Sequence, residues 1–249
     1  QSDSNYQVAQ YNIILAQYDN AKYAELEKTA LTAIQYENDY STKIYYWYVE
    51  SLIKRKEFKK AIAVLKEAQV AFPLYFEYEY QIAKVSIEKN KISEAIELLN
   101  NVLRVHPQHS KSHYALAKIK ADQGHITEAI LGFEMAIISN LSSSVLQKSY
   151  VAAEDLMNNN YAFTEKHKGK NLFNTLDQMV ESKIALKPNY KSELGLNYSV
   201  DRQTDLLMKQ FSFKKNTNSF GMDYYGVFFD GIIKKGLQKG YILHMMSVI

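Results

Sequence analysis

The chain has 249 residues, no cysteine and a formal net charge of +3. Without thiols there are no disulfides, thiolate metal sites or cysteine nucleophiles, and so small a charge argues against nucleic acid as the main partner. Only 9 glycines and 3 prolines are present, which disfavours a turn-rich β fold and favours helices. In chain order, Gln1 in place of a methionine comes first. It marks either a removed leader or a chosen boundary, and Gln-Ser-Asp-Ser suits a signal-peptidase product. The expectation is an exported protein, periplasmic or outer-membrane associated, in a cell-envelope complex. No apolar run approaches the roughly 18 residues of a membrane span. Residues 6–38 then form a first helical segment.

From residue 42 the sequence repeats every 34 residues. Ala61, Ala95 and Ala129 keep that spacing, as do Tyr46, Tyr80 and Tyr114, then Leu65, Leu99 and Phe133, and the pair Pro73 and Pro107. A period of this length marks a helix-pair repeat. Blocks 42–75, 76–109 and 110–143 follow one another without insertion. In the third block Leu116 and Ala117 mark the inner stripe of a first helix, and Gly124 supplies a left-handed break. Ile126, Ala129, Ile130, Phe133, Ala136 and Ile137 then recur at helical spacing. Asn90 stands where Gly124 does one block later, and Asn is the next-best residue for that conformation.

After residue 143 the pattern weakens. Residues 144–158 make one more first helix, a polar stretch runs from Asn158 to Lys170, and residues 171–186 form a delayed second helix before Pro188. Asp201 to Phe211 is expected to be a helix, Phe213 to Gly221 a loop, and Asp223 to Lys235 an apolar helix. Tyr241 to Ile249 fits either strand or helix.

These blocks resemble tetratricopeptide (TPR) motifs. The match is carried by Tyr45, Ala61, Leu65, Ala68 and Pro73, by Ile82, Ala83, Ala95, Leu99 and Pro107, and by Leu116, Ala117, Gly124, Ala129, Phe133 and Ala136. The resemblance implies an all-α fold, a right-handed TPR α-solenoid of about five helix pairs with a helical C-terminal cap. The expected divisions are a degenerate first repeat (1–41), three regular repeats (42–143), a degenerate fifth repeat with an inserted loop (144–189) and a capping segment (190–249). In the first repeat Leu26 replaces the usual small residue, while Tyr23, Ala30 and Ala33 fit.

The resemblance also implies a function, the holding of a protein or peptide partner in a concave groove lined by the first helices. Its inward positions map to Lys43, Tyr46, Glu50, Ile53 and Lys54, to Glu77, Tyr80, Lys84, Ile87 and Glu88, and to Lys111, Tyr114, Lys118, Ala121 and Asp122. Tyr11, Leu15 and Tyr18 extend the set into the first repeat. The candidate partner-binding residues are Tyr11, Tyr46, Glu50, Tyr80, Lys84, Tyr114 and Lys118, a tyrosine ladder among mixed charges. Tyr offers contact area at low entropy cost; it is also common at this position in TPR repeats. A chaperone-tail clamp is disfavoured because the Asn residues that such a clamp needs are absent.

No catalytic residue, cofactor or metal site is expected, and no phosphate loop or nucleophile elbow is present. His106, His109 and His113 could ligate zinc, but they straddle an inter-repeat turn with no acidic neighbour. Asp201 and Asp205 lie four apart, where stabilisation of a helix start is the simpler role. Lys166 to Lys170 suits a solvated loop, and Tyr224, Tyr225, Phe228 and Phe229 suit either core packing or a docking patch. Two alternatives stand beside the scaffold: a TPR targeting arm joined to a C-terminal effector domain with a pocket at Asp201, Arg202 and Asp205, and a homo-oligomer built through the apolar C-terminal helix.

Overall fold

Four left-handed residues punctuate the first half of the chain. In the computed structural model Ala21, Lys56, Asn90 and Gly124 have φ of 56, 60, 56 and 77°. At Lys56 the amide donates to the carbonyl of Ile53 at 3.0 Å and the next amide, of Glu57, reaches back to Leu52 at 2.9 Å. That 5→2 and 6→1 pair is a Schellman stop, and it satisfies carbonyls that the helix end would leave bare. The same pair recurs at Ala21, Asn90 and Gly124. The residue after each stop begins the next helix through its own carbonyl, which accepts from Leu26, Ala61, Ala95 and Ala129 in turn.

The structure describes residues 4–35, 39–139, 144–158, 174–191, 195, 196, 198–210 and 235. Among them the regular structure is entirely helical. The elements are α1 (Ser4–Asp19), α2 (Tyr23–Ile34), α3 (Ser41–Lys54), α4 (Phe58–Ala71), α5 (Glu77–Glu88), α6 (Ile92–Val105), α7 (Ser110–Asp122), α8 (Ile126–Ser139), α9 (Ser144–Met157), α10 (Asn174–Glu181), a 3-10 turn (Ile184–Leu186) and α11 (Ser199–Gln210). Helices α4, α6 and α8 begin at residues 58, 92 and 126 and end at 71, 105 and 139, so the 34-residue period is a period of structure. The repeated helix pairs expected from the sequence are present. The expected loop at 213–221, helix at 223–235 and segment at 241–249 lie outside the described residues, Lys235 apart. So does the polar stretch beyond Asn158.

The chain divides into two compact units, residues 1–102 and 103–249, with the division inside α6. In the first unit α1 packs on α2, α2 on α3, α3 on α4 and α4 on α5. The shared core is built from Ile14, Leu26, Ala30, Ala33, Ile44, Tyr48, Leu52, Ala61, Leu65 and Ala68, all at most 1% exposed. Alanines recur in this core because helices that cross closely leave room for a methyl group and little more. Helices α5 and α6 are tied by Ser86, which donates to Glu94 at 3.0 Å, and by Asn101, which donates to Glu79 at 3.2 Å.

The second unit is organised around α8. Every residue from Ile126 to Ile137 is buried, including Thr127, Glu128 and Glu134. The sequence stripe accounts for one face, packed on α7 and α9. The other face is covered by the chain that follows. Helix α10 packs on α8, and Asp177 Oδ1 accepts the Thr127 amide at 2.7 Å, capping the first turn of α8. Thr204 of α11 donates to the buried Glu134 carboxylate. Glu128 is paired with Lys120 at 2.6 Å and faces His125 Nδ1 at 3.2 Å. Burial pulls this carboxyl upward, but His125 and Lys120 outweigh it and hold it below its ordinary value. Helix α11 packs on α9 and on the 3-10 turn. The described part of the expected delayed second helix is α10, which ends at Glu181, and the described part of the C-terminal segment lies along α8 and α9.

Candidate functional site

In the first unit the first helices are neighbours, α1 beside α3 and α3 beside α5. Their side chains form two aromatic clusters. Tyr11 stacks on Tyr40 at 5.1 Å, and the Lys43 ammonium lies over both rings at 5.7 and 5.5 Å. Tyr18 meets Trp47 at 4.7 Å, and Tyr46 meets the same indole edge-on at 5.3 Å. Burial, followed by the charge of Glu50, pushes the Tyr18 hydroxyl up to about 12 and raises that of Tyr46 well above the usual phenol range. Both phenols are thus neutral hydrogen-bonding groups at any physiological pH.

Glu50 lies beside the second cluster. It is 6% exposed and accepts from Lys84 Nζ at 2.5 and 2.7 Å and from Gln81 Nε2 at 3.2 Å. The pair is neutral overall and holds the Lys84 ammonium 6.0 Å from the Tyr80 ring. So Tyr46, Glu50, Tyr80 and Lys84 lie together, with the carboxylate turned inward onto Lys84, while Tyr11 lies with Tyr40 and Lys43.

The second unit places Tyr114 and Lys118 of α7 on the wall of an open groove of about 450 Å³. Its floor is Phe133 of α8, whose ring lies 5.8 Å from that of Tyr114. The opposite wall is α9, through Gln147, Lys148, Val151, Ala152 and Asp155. Val151 is 50% exposed, and Lys118, Lys148 and Asp155 are exposed as well. An apolar floor with a rim of two cations and one anion can bury side chains of a bound chain and grip its polar backbone or acidic groups. The α9 residues are absent from the sequence-based lining. Counting 34 onward from Tyr114 and Lys118 gives Lys148 and Ala152, so the register could have found them, but neither continues the tyrosine pattern.

The remaining candidates separate. His113 is buried, its Nε2–H donating to the Pro107 carbonyl at 2.7 Å, while His109 pairs with Ser112 at 2.7 Å. Burial takes the His113 imidazole down to about 4, against the pull of that hydrogen bond. The two rings face different partners and do not converge. Asp205 accepts from Tyr190 at 2.8 Å and Lys209 at 2.7 Å, and Arg202 donates to the Lys187 carbonyl at 2.7 Å. Asp201 is buried with neither carboxylate oxygen hydrogen-bonded. Burial raises its carboxyl to about 6. Arg202 and Asp205 meet at Tyr190, the guanidinium 5.8 Å from its ring and the carboxylate on its hydroxyl, while Asp201 is buried apart from these contacts. Lys166 to Lys170 and the aromatic residues Tyr224, Tyr225, Phe228 and Phe229 lie outside the described residues. Among the described residues no helix is long and apolar enough to cross a membrane.

No family model matches the sequence, and no curated protein matches it. Solved structures do. One is MamA 41-end from Desulfovibrio magneticus RS-1, at 14% identity and a TM-score of 0.46, covering 62% of this chain and 85% of that one. The MamA RS-1 ArsTM double mutant shares 12% identity over 71% of this chain and 91% of its own, with a TM-score of 0.47. MamA AMB-1 shares 15% over 60% and 84%, with a TM-score of 0.37. Likeness at these scores carries no argument about function, and the repeat architecture rests on the chain's own helix register.

Proposed function

We propose that this chain is a non-catalytic, TPR-type scaffold that holds an extended segment of a partner protein against its first helices. The observation that supports the reading best is the groove between α7 and α9. It joins Tyr114 and Lys118, inward positions by the repeat register, to a half-exposed apolar wall at Val151 and an exposed cation at Lys148. The tyrosine clusters on α1, α3 and α5 offer similar chemistry in the first unit. Tyr and Trp are among the side chains most often found to dominate binding energy at protein interfaces.

The test is selection of binding peptides from a displayed random library by the whole chain, followed by titration calorimetry. Tyr114→Ala with Val151→Asp should weaken the selected peptide by roughly 10–100-fold, as expected when central contacts are removed, with the circular dichroism spectrum unchanged. A library that yields no binder, or a binder indifferent to the double substitution, would sink this reading.

A further inference from the structure

The charges of the groove between α7 and α9 are set out in an order. Helix α9 buries Ser149, Ala153 and Leu156 and turns another face to the groove, with Lys148, Val151 and Asp155 at i, i+3 and i+7. Side chains on a helix meet when they are three or four positions apart, so the charges of Lys148 and Asp155, seven apart, form separate poles. Their levels on the helix differ by about 10 Å. Helical side chains lean toward the N-terminus, and the long Lys148 leans further than the short Asp155, which widens the gap. Val151, 50% exposed, stands between the poles. Lys118, on the facing wall, makes the rim net positive. Among the described residues the lining comes from α7, α8 and α9 alone, while the second layer, α10 and α11, packs elsewhere on α8 and α9.

A groove that is positive at one end, apolar in the middle and negative at the other has a defined complement. An extended chain sets residues i, i+2 and i+4 on one side, over about 13 Å. That reach suits the two poles with one apolar side chain between them. We propose that the groove selects a partner segment of the pattern acidic–x–apolar–x–basic, read in either chain direction, with the acidic residue at Lys148 and the basic one at Asp155. This rests on the scaffold reading above and adds what the held segment must carry. A wholly acidic segment would set like charge against Asp155, and a wholly apolar one would strip water from the rim charges without replacing it.

The test pans the whole chain against a displayed peptide library with fixed Gly-Ser flanks, so that no chain end supplies the carboxylate. Asp155→Lys and Lys148→Glu, both at exposed positions, are panned in parallel. Binders of the parent chain should enrich the acidic–x–apolar–x–basic pattern. Asp155→Lys should turn its basic position acidic, and Lys148→Glu should turn its acidic position basic. In calorimetry each variant should weaken a parent-selected peptide about two- to fivefold at low salt, as exposed charge pairs do, and reversing the matching peptide charge should restore binding. Binders that depend on Tyr114 and Val151 but carry no such pattern, or a pattern unmoved by the two variants, would overturn this proposal and leave the scaffold reading standing. An empty selection would overturn both. Concentration-dependent dimerisation abolished by Tyr114→Ala with Val151→Asp would overturn the proposal too, since the groove would then hold a second copy.

Discussion

Asp201 is 1% exposed on α11, and both its carboxylate oxygens lack a hydrogen bond. Desolvation penalises the charged form alone, which is why the carboxyl is raised from 3.8 to about 6. Below pH 3.8 it is protonated in both folded and unfolded chains and costs nothing. Between 3.8 and 6 only the unfolded chain ionises, so stability falls as pH rises, by about 3 kcal/mol in all. His113 works the other way. Its lowered imidazole loses stability as pH falls from 6.5 towards 4. The clean comparison is therefore Asp201→Asn against the parent chain. In urea unfolding the variant should gain on the parent between pH 4 and 7 by about 3 kcal/mol, and a constant difference across that range would refute the assignment. The sequence places Asp201 at a helix start, where dipole stabilisation is the simpler role, and the structure adds its burial. Burial by a neighbouring helix leaves no local trace in the residues on either side.

At the scale of the element, the turns show what was legible. Gly124 and Asn90 advertise a left-handed conformation because they tolerate it. Lys56 and Ala21 adopt the same conformation with nothing in their chemistry to announce it. They are held by the Schellman bonds and by the helices on both sides. A left-handed residue with a Cβ costs roughly 1–2 kcal/mol, against roughly 0.5–1 for the extra freedom of glycine when unfolded. Lys56→Gly should therefore raise stability by about 0.5–1 kcal/mol, and Gly124→Ala should lower it by about 1. Thermal melts of the two variants should move in opposite directions. The same scale explains the burial of α8. Helix α4 carries exposed Lys59, Lys60, Ala63, Lys66 and Glu67 where α8 carries Thr127, Glu128, Leu131, Glu134 and Met135. A helix with Leu and Met on its outer side expects a second layer, and that contrast with α4 was available from the sequence. Which segment supplies the layer was not. The contacts of Asp177 with Thr127 and of Thr204 with Glu134 span 50 and 70 residues, and no periodicity reaches across such gaps.

For the whole molecule, the fold class was legible in alanines and tyrosines counted at 34, while only the α7 side of the groove between α7 and α9 was. The tyrosines were found because they recur. Lys148, Val151 and Asp155 were missed because α9 keeps the register without keeping the residues. Each unit has its own core, and Phe133 is central to the second, packed with Ala117, Ala129, Leu156 and Val180. Phe133→Ala should cost about 3–5 kcal/mol. Hydrogen exchange should then accelerate in α7 to α11 while α1 to α4 stay protected. Uniform acceleration along the chain would show one cooperative body instead.

The four stops at Ala21, Lys56, Asn90 and Gly124 have a last consequence, for growth of the gene. Each one ends a helix and launches the next through the same backbone bonds, whether the residue is Ala, Lys, Asn or Gly. A stretch of 34 or 35 codons cut between two stops carries a complete helix pair. Such a molecule can lengthen or shorten by whole modules.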